Sequence, residues 1–229
     1  KLKFDKVHIS GPNYALWVQG PNAKLEVING SLIEANYFSI STDATLQGGG
    51  LLYGGADIML KDSKFIAGET GFMTNVSPST VNIENCEFSG NHQAAFLRGG
   101  TYTIKNSSFT LKAELESTHS ENNHMKQWQD GNRAAFAGIT IGNYLSSAYQ
   151  YPTTVAMTGV TVKVEGTHAS SFPAVHVCAN ATEDKGVTLT YDTTCSFTST
   201  YDPAVEYGTA NITVNGEAVK SNVKQETSN

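Results

Sequence analysis

Charge is the scarcest ingredient of this chain. Asp, Glu, Lys and Arg together make up 16% of its 229 residues, and the balance is acidic, with a formal net charge of -6. So few cations argue against a nucleic-acid partner, whose phosphates call for basic patches. Cysteine is scarce too: Cys86, Cys178 and Cys195 show no CxxC spacing and so no zinc-type ligand set. Their odd number leaves at least one thiol outside any intramolecular bridge. Cys178–Cys195 is one candidate pair, and buried free thiols are the alternative. No run approaches the roughly 18 apolar residues that a membrane helix needs. A signal-peptide pattern is also missing, and Lys1 opens directly in strand-like sequence. What is plentiful is Gly, Ser, Thr and Asn, which suits a β-rich extracellular protein better than a helical bundle.

An internal repeat organises this material. Residues 24–32 (KLEVINGSL), 57–65 (DIMLKDSKF), 80–88 (TVNIENCEF) and 101–109 (TYTIKNSSF) align without gaps. Residues 1–9 (KLKFDKVHI), 154–162 (TVAMTGVTV) and 211–219 (NITVNGEAV) follow the same template, and 186–190 (GVTLT) is a looser copy. Apolar residues at positions two and four mark a strand with one buried face. Asn, Asp or Gly at position six tolerates the left-handed backbone of a tight bend. The apolar ninth position then begins a second strand around the corner. A third segment completes each coil, at 15–18 (ALWV), 37–40 (YFSI), 71–74 (GFMT), 95–98 (AFLR), 174–177 (AVHV) and 204–207 (AVEY). Where no insertion intervenes, copies start about every 21 to 25 residues, one turn of a β-solenoid, and the leucine-dominated positions of a leucine-rich repeat are missing.

Three strands per coil make the chain resemble the pectate-lyase-like superfamily over most of its length, through repeat pattern and not through an active-site motif. The resemblance implies an all-β, right-handed parallel β-helix of about seven to eight coils. It would fill residues 1–219 as one domain, with a long excursion near 112–136 and a polar tail at 220–229. The segment 130–219 also resembles part of large surface proteins of Gram-positive gut bacteria, through 149–152 (YQYP), 172–175 (FPAV) and 211–216 (NITVNG). That resemblance implies a secreted or cell-surface location.

Stacking accounts for many residues that would otherwise suggest chemistry. Asn29, Asp62, Asn85 and Asn106 are expected to form a ladder of corner side chains, and Phe65, Phe88 and Phe109 a buried aromatic stack. Lys61, Glu84 and Lys105, and Lys64 with Glu87, alternate in sign and should pair across strands. The Asn-x-Ser/Thr sequons at Asn29, Asn75, Asn106, Asn180 and Asn211 include ladder positions where a glycan would clash, so they are read as chance.

Stacking leaves two long coils and one unusual face. Residues 41–56, with Gly48–Gly50, and residues 112–136, with His119, Glu121, His124, Trp128, Asp130 and Arg133, leave the solenoid and could wall a groove. Residues 114–121 could hold a short helix. His119 and His124 lack the i, i+4 spacing of a helical zinc pair, so neither metal nor cofactor is expected. Along the third strand, Leu16, Phe38, Phe72, Phe96, Val175 and Val205 are expected to face the core. Trp17, Ser39, Met73, Leu97, His176 and Glu206 are expected to face outward, an unusually apolar row for a solvated face. Either the excursion covers it, or it meets a ligand.

Two functions of different class compete. The first is a glycan-binding or adhesin-like module, with Trp17, Met73, Leu97, Trp128 and Tyr144 as ligand contacts and Tyr14 and Tyr149 as further aromatic candidates. It would be part of a longer chain or capped by a partner subunit, because neither end of the solenoid shows a polar cap. The second is a carbohydrate-active enzyme, a glycoside hydrolase or polysaccharide lyase. Asp43, Glu69, Asp130 and Glu206 are its spare carboxylates, Arg98 its candidate base, and His176 a partner for Glu206. An ordinary surface ion pair is the simpler reading of His176 with Glu206. A third reading, ice or mineral binding, rests on stacked Thr80, Thr101 and Thr154 and on an approximate second row of Thr103, Thr188 and Thr213. Tailspike-like trimerisation would be another way to hide the apolar row.

Overall fold

The computed structural model describes residues 1–18, 22–42, 55–74, 78–114, 125–127, 133–142, 151–177, 186–208 and 211–223. They form a right-handed parallel β-helix. The first sheet runs Leu2–Asp5, Lys24–Ile28, Asp57–Lys61, Thr80–Glu84, Gly100–Lys105, Thr153–Thr158, Val187–Tyr191 and Ile212–Val214. The second runs His8–Gly11, Leu32–Ala35, Lys64–Ala67, Glu87–Gly90, Ser108–Lys112, Thr161–Glu165 and Ser196–Thr198. The third runs Tyr14–Val18, Phe38–Thr42, Thr70–Met73, Gln93–Leu97, Ala137–Ile141, Val175–Val177 and Val205–Tyr207. No helix among the described residues is long and apolar enough to cross a membrane.

The corner between the first two sheets forms as the repeat dictates. Asn29, Asp62, Asn85 and Asn106 all take left-handed φ values between 48° and 59°. Asn29 donates to Asp5 at 3.0 Å and Asn85 to Asp62 at 2.9 Å, so side-chain amides link successive corners. One residue later a second, buried row runs Ser63, Cys86 and Ser107. Each side chain donates to the carbonyl two residues before it, and Ser107 Oγ also accepts the Cys86 amide. Cys86 therefore stands in a serine's place, as a free and buried thiol that burial pushes up to about 12. Cys195 is likewise a free thiol, contacting Asp192, so the bridge considered for it is not formed.

Phe65, Phe88 and Phe109 stack with ring centroids 4.7 Å apart on each side of Phe88. Lys61–Glu84 and Lys64–Glu87 close at 3.3 and 2.7 Å. Three details depart from the repeat as read from sequence. Gly30, at φ 83°, is an extra corner residue, so Ile33 and not Leu32 pairs with Phe65 and enters the core. Asn215 and Gly216, both at positive φ, reverse the chain. Glu217–Ala218 therefore pairs antiparallel with Thr213 and Val214 and does not open another corner strand. On the first sheet, Thr80, Thr101, Thr154, Thr188 and Thr213 are one continuous outward row, while Thr103 aligns with Asn82 and Ala156.

From the long excursion, Met125–Gln127 and Arg133–Ala135 form an antiparallel pair. The helix considered at 114–121 lies outside the described residues but for Glu114. At the far end Asn222 accepts the Tyr207 amide on its side-chain oxygen, donates its own amide to the Tyr207 carbonyl and its side-chain nitrogen to the Val205 carbonyl, so the tail satisfies an edge strand.

Candidate functional site

The third sheet is where sequence and structure differ most. Register pairs Leu16, Ile40, Phe72, Ala95, Ile139, Val175 and Val205 on its inner face. The outer face carries Trp17, Ser41, Met73, Phe96, Thr140, His176 and Glu206. Leu97 thus belongs to the core and cannot meet a ligand, which corrects its assignment. Phe38 and Phe96, expected inside, instead form an outer apolar cluster with Met73. All three are buried, so Met73 is a packing residue. The cause is physical: Phe38–Thr42 and Gln93–Leu97 are buried on both faces. A strand buried on both faces carries no polar alternation from which its register can be read.

Arg98 is buried as well. Its Nε donates to the Thr74 carbonyl at 3.1 Å, and its guanidinium lies 4.5 Å from the centre of the Phe96 ring. Guanidinium stays protonated, so Arg98 acts as a clamp on this face and not as a lyase base. His176 and Glu206 do pair, Nδ1 to Oε2 at 2.6 Å, but in the interior and not as a surface ion pair. The Tyr201 hydroxyl donates to the other Glu206 oxygen at 2.9 Å. Burial and the adjacent Glu206 carboxylate raise the Tyr201 phenol well above its ordinary value.

Glu69 occupies the corner before Thr70, with His92 Nδ1 3.5 Å from its carboxylate. Glu206 aligns with Met73 through Phe96, Thr140 and His176. Those four coil steps separate Glu206 from Glu69 by about 19 Å along the axis, whereas a glycosidase pair needs roughly 5–9.5 Å. The two do not form a hydrolytic dyad. Asp43, Asp130, Trp128, Tyr144 and Tyr149 lie outside the described residues. Among the described residues no three His, Cys, Asp or Glu side chains cluster to hold a metal.

Among the described aromatic candidates, those open to solvent lie at the first two coils. Tyr14, Trp17 and Tyr37 are 40%, 59% and 46% exposed. They are the only strongly exposed aromatics among the described residues. Tyr14 stacks on Trp17 at 5.1 Å and on Phe38 at 5.2 Å, with planes 25° and 20° apart. Tyr37 stands over Asn13, whose carbonyl accepts its amide at 3.1 Å. No family model, curated protein or solved structure matches this chain. The site is therefore read from its own geometry. Trp17 was legible as an outward aromatic from strand alternation, and Tyr14 only as an aromatic neighbour in the same segment. Tyr37 was not, because it sits at the bend that opens its strand, where strand alternation does not apply.

Proposed function

We propose that this chain is a glycan-binding, adhesin-like β-helix module of a secreted or cell-surface bacterial protein, on a scaffold of the pectate-lyase-like kind. Tyr14, Trp17 and Tyr37 form its sugar platform. The observation that carries this is that, among the described residues, every strongly exposed aromatic lies on two adjacent coils. Adjacent exposed aromatics of this kind mark an interaction site, whereas Leu2, Met59 and Ile66 are single exposed aliphatic side chains. Flat rings take the C–H faces of pyranoses, and their hydroxyl tips and the neighbouring Asn13 and Asn36 supply hydrogen bonds. The stack on Phe38 and the strand beneath hold the rings in place before any ligand arrives, so little entropy is lost on binding.

A glycan array on the purified chain, with product analysis of each hit, tests the proposal. Binding without turnover is expected. Trp17→Ala should cut affinity for the bound glycan at least tenfold while shifting stability by no more than about 0.5 kcal/mol, as for an exposed side chain. Unchanged binding by that variant would remove the platform from the account, and cleavage of a hit would replace the binding module with an enzyme.

A further inference from the structure

We infer that the molecule carries a second sugar site, away from the aromatic platform, that takes the acetamido group of an N-acetylated hexosamine. It lies at the corner between the first and second sheets. Asn29, Asp62, Asn85 and Asn106 fill one corner position there on successive coils. Register places Gly159 next in that row, since Lys105 pairs with Thr158 and Ser108 with Thr161. Gly159 keeps the left-handed backbone of the row, φ 63° against 48° at Asn106, but supplies no side chain. Asn106 is therefore the last carboxamide before a gap. Its Oδ1 leans over Gly159, 2.5 Å from where a Cβ would stand.

A groove of about 290 Å³ opens at this gap, with Asn85, Glu87, Asn106, Ser108, Gly159 and Thr161 in its lining. That is close to the lower end of small-molecule sites, roughly 300 Å³, so it admits one sugar unit and not a chain. Neither an aromatic ring nor a cation lines it. Asn85 donates its nitrogen to Asp62 at 2.9 Å, so its oxygen is the atom that can accept from a ligand. Lys64, 2.7 Å from Glu87 Oε2, balances the one charge in the lining. The groove thus offers amide and hydroxyl hydrogen bonding without net charge. An acetamido group answers this chemistry directly, because it is an N-substituted form of the carboxamide that the row lacks. Seated at Gly159, its carbonyl accepts from Asn106 Nδ2 and its N–H donates to the Asn85 or Asn106 oxygen, while Ser108 and Thr161 meet ring hydroxyls. A plain hexose has no planar amide to continue the row.

The test follows the nitrogen-15-labelled chain by NMR during titration with diacetylchitobiose and, separately, with cellobiose, which carries a hydroxyl in place of each acetamido group. Diacetylchitobiose should shift the Gly159 amide and the side-chain amides of Asn85 and Asn106. Cellobiose should act there roughly tenfold more weakly, as the loss of two hydrogen bonds implies. Gly159→Asn refills the row, since asparagine accepts the left-handed backbone, and should abolish these shifts. The sugar comparison uses the native chain, so a folding defect in Gly159→Asn would leave the answer intact. In Trp17→Ala the groove shifts should persist, because the platform lies on other coils. Shifts absent from the groove, equal there for both disaccharides, or surviving in a folded Gly159→Asn would overturn this inference. The platform reading is judged apart from it, by the Trp17 signals.

Discussion

Phe88 lies between two parallel neighbours, with interplanar angles of 11° to Phe65 and 4° to Phe109. Removing it breaks both contacts at once and leaves a void that a stacked solenoid cannot collapse into. Phe88→Ala should therefore cost about 3–5 kcal/mol in urea unfolding. A loss near 1 kcal/mol would mean that the coils relax around the gap. Cys86 makes a different residue-scale prediction. Its thiol is buried and raised to about 12, so little thiolate exists at neutral pH. Mass spectrometry after thiol labelling should find Cys195 modified in the folded chain and Cys86 modified only on unfolding. Cys86→Ser should be close to neutral, because Ser63 and Ser107 already show that a hydroxyl satisfies the same bond.

At the scale of an element, the corner row between the first and second sheets is held by conformation as much as by hydrogen bonds. Asn85 sits at φ 53° and donates to Asp62 at 2.9 Å. Asn85→Ala should cost about 1–2 kcal/mol, since alanine resists the left-handed region. Asn85→Gly should cost less although it loses the same bond, since glycine enters that region freely. Calorimetry on the two variants separates backbone from side chain, and equal losses would assign the whole effect to the hydrogen bond. The third sheet behaves differently as an element. Its outer row is closed by Thr70–Gln93 at 2.7 Å, by Gln93 and Thr140 donating to the Ala135 carbonyl, and by Arg98 over Phe96. Ala135 belongs to the excursion, so at this point the excursion covers the face and does not wall an open groove.

For the molecule as a whole, pH should set a plateau of stability. Asp5 is lowered by the Asn29 hydrogen bond, Glu165 by Lys163 and Lys112, and Asp192 by Thr194. A depressed carboxylate contributes fully above its ordinary value, 3.8 for Asp and 4.5 for Glu, and loses that contribution as pH falls through the lowered one. Tyr201, Tyr207 and Tyr102 are raised by burial from 10.0. Their neutral forms support the fold below pH 10 and stop doing so as pH climbs from there. Melting temperature followed by circular dichroism should be flat near neutrality, decline below about pH 4 and fall again above about pH 10. A melting temperature that rises on acidification would contradict the hydrogen-bonded carboxylates.

The repeat by itself determined the solenoid, the left-handed corner row, the phenylalanine stack and the alternating ion pairs. Each follows from local chemistry repeated at a regular interval: alternation marks the buried face, Asn or Asp marks the bend, and stacking brings equivalents together. Tertiary structure alone decided the rest. A strand buried on both faces conceals its own register, so Phe96 and Leu97 exchanged places. Glu69 and Glu206 look equivalent as spare carboxylates, yet four coils separate them and one is sealed inside with His176 and Tyr201. Tyr37 gains its exposure from a bend, and the third-sheet aromatics farther along lose theirs to cover. Which outward residue meets solvent depends on what lies above it, and that is a long-range property no local pattern carries.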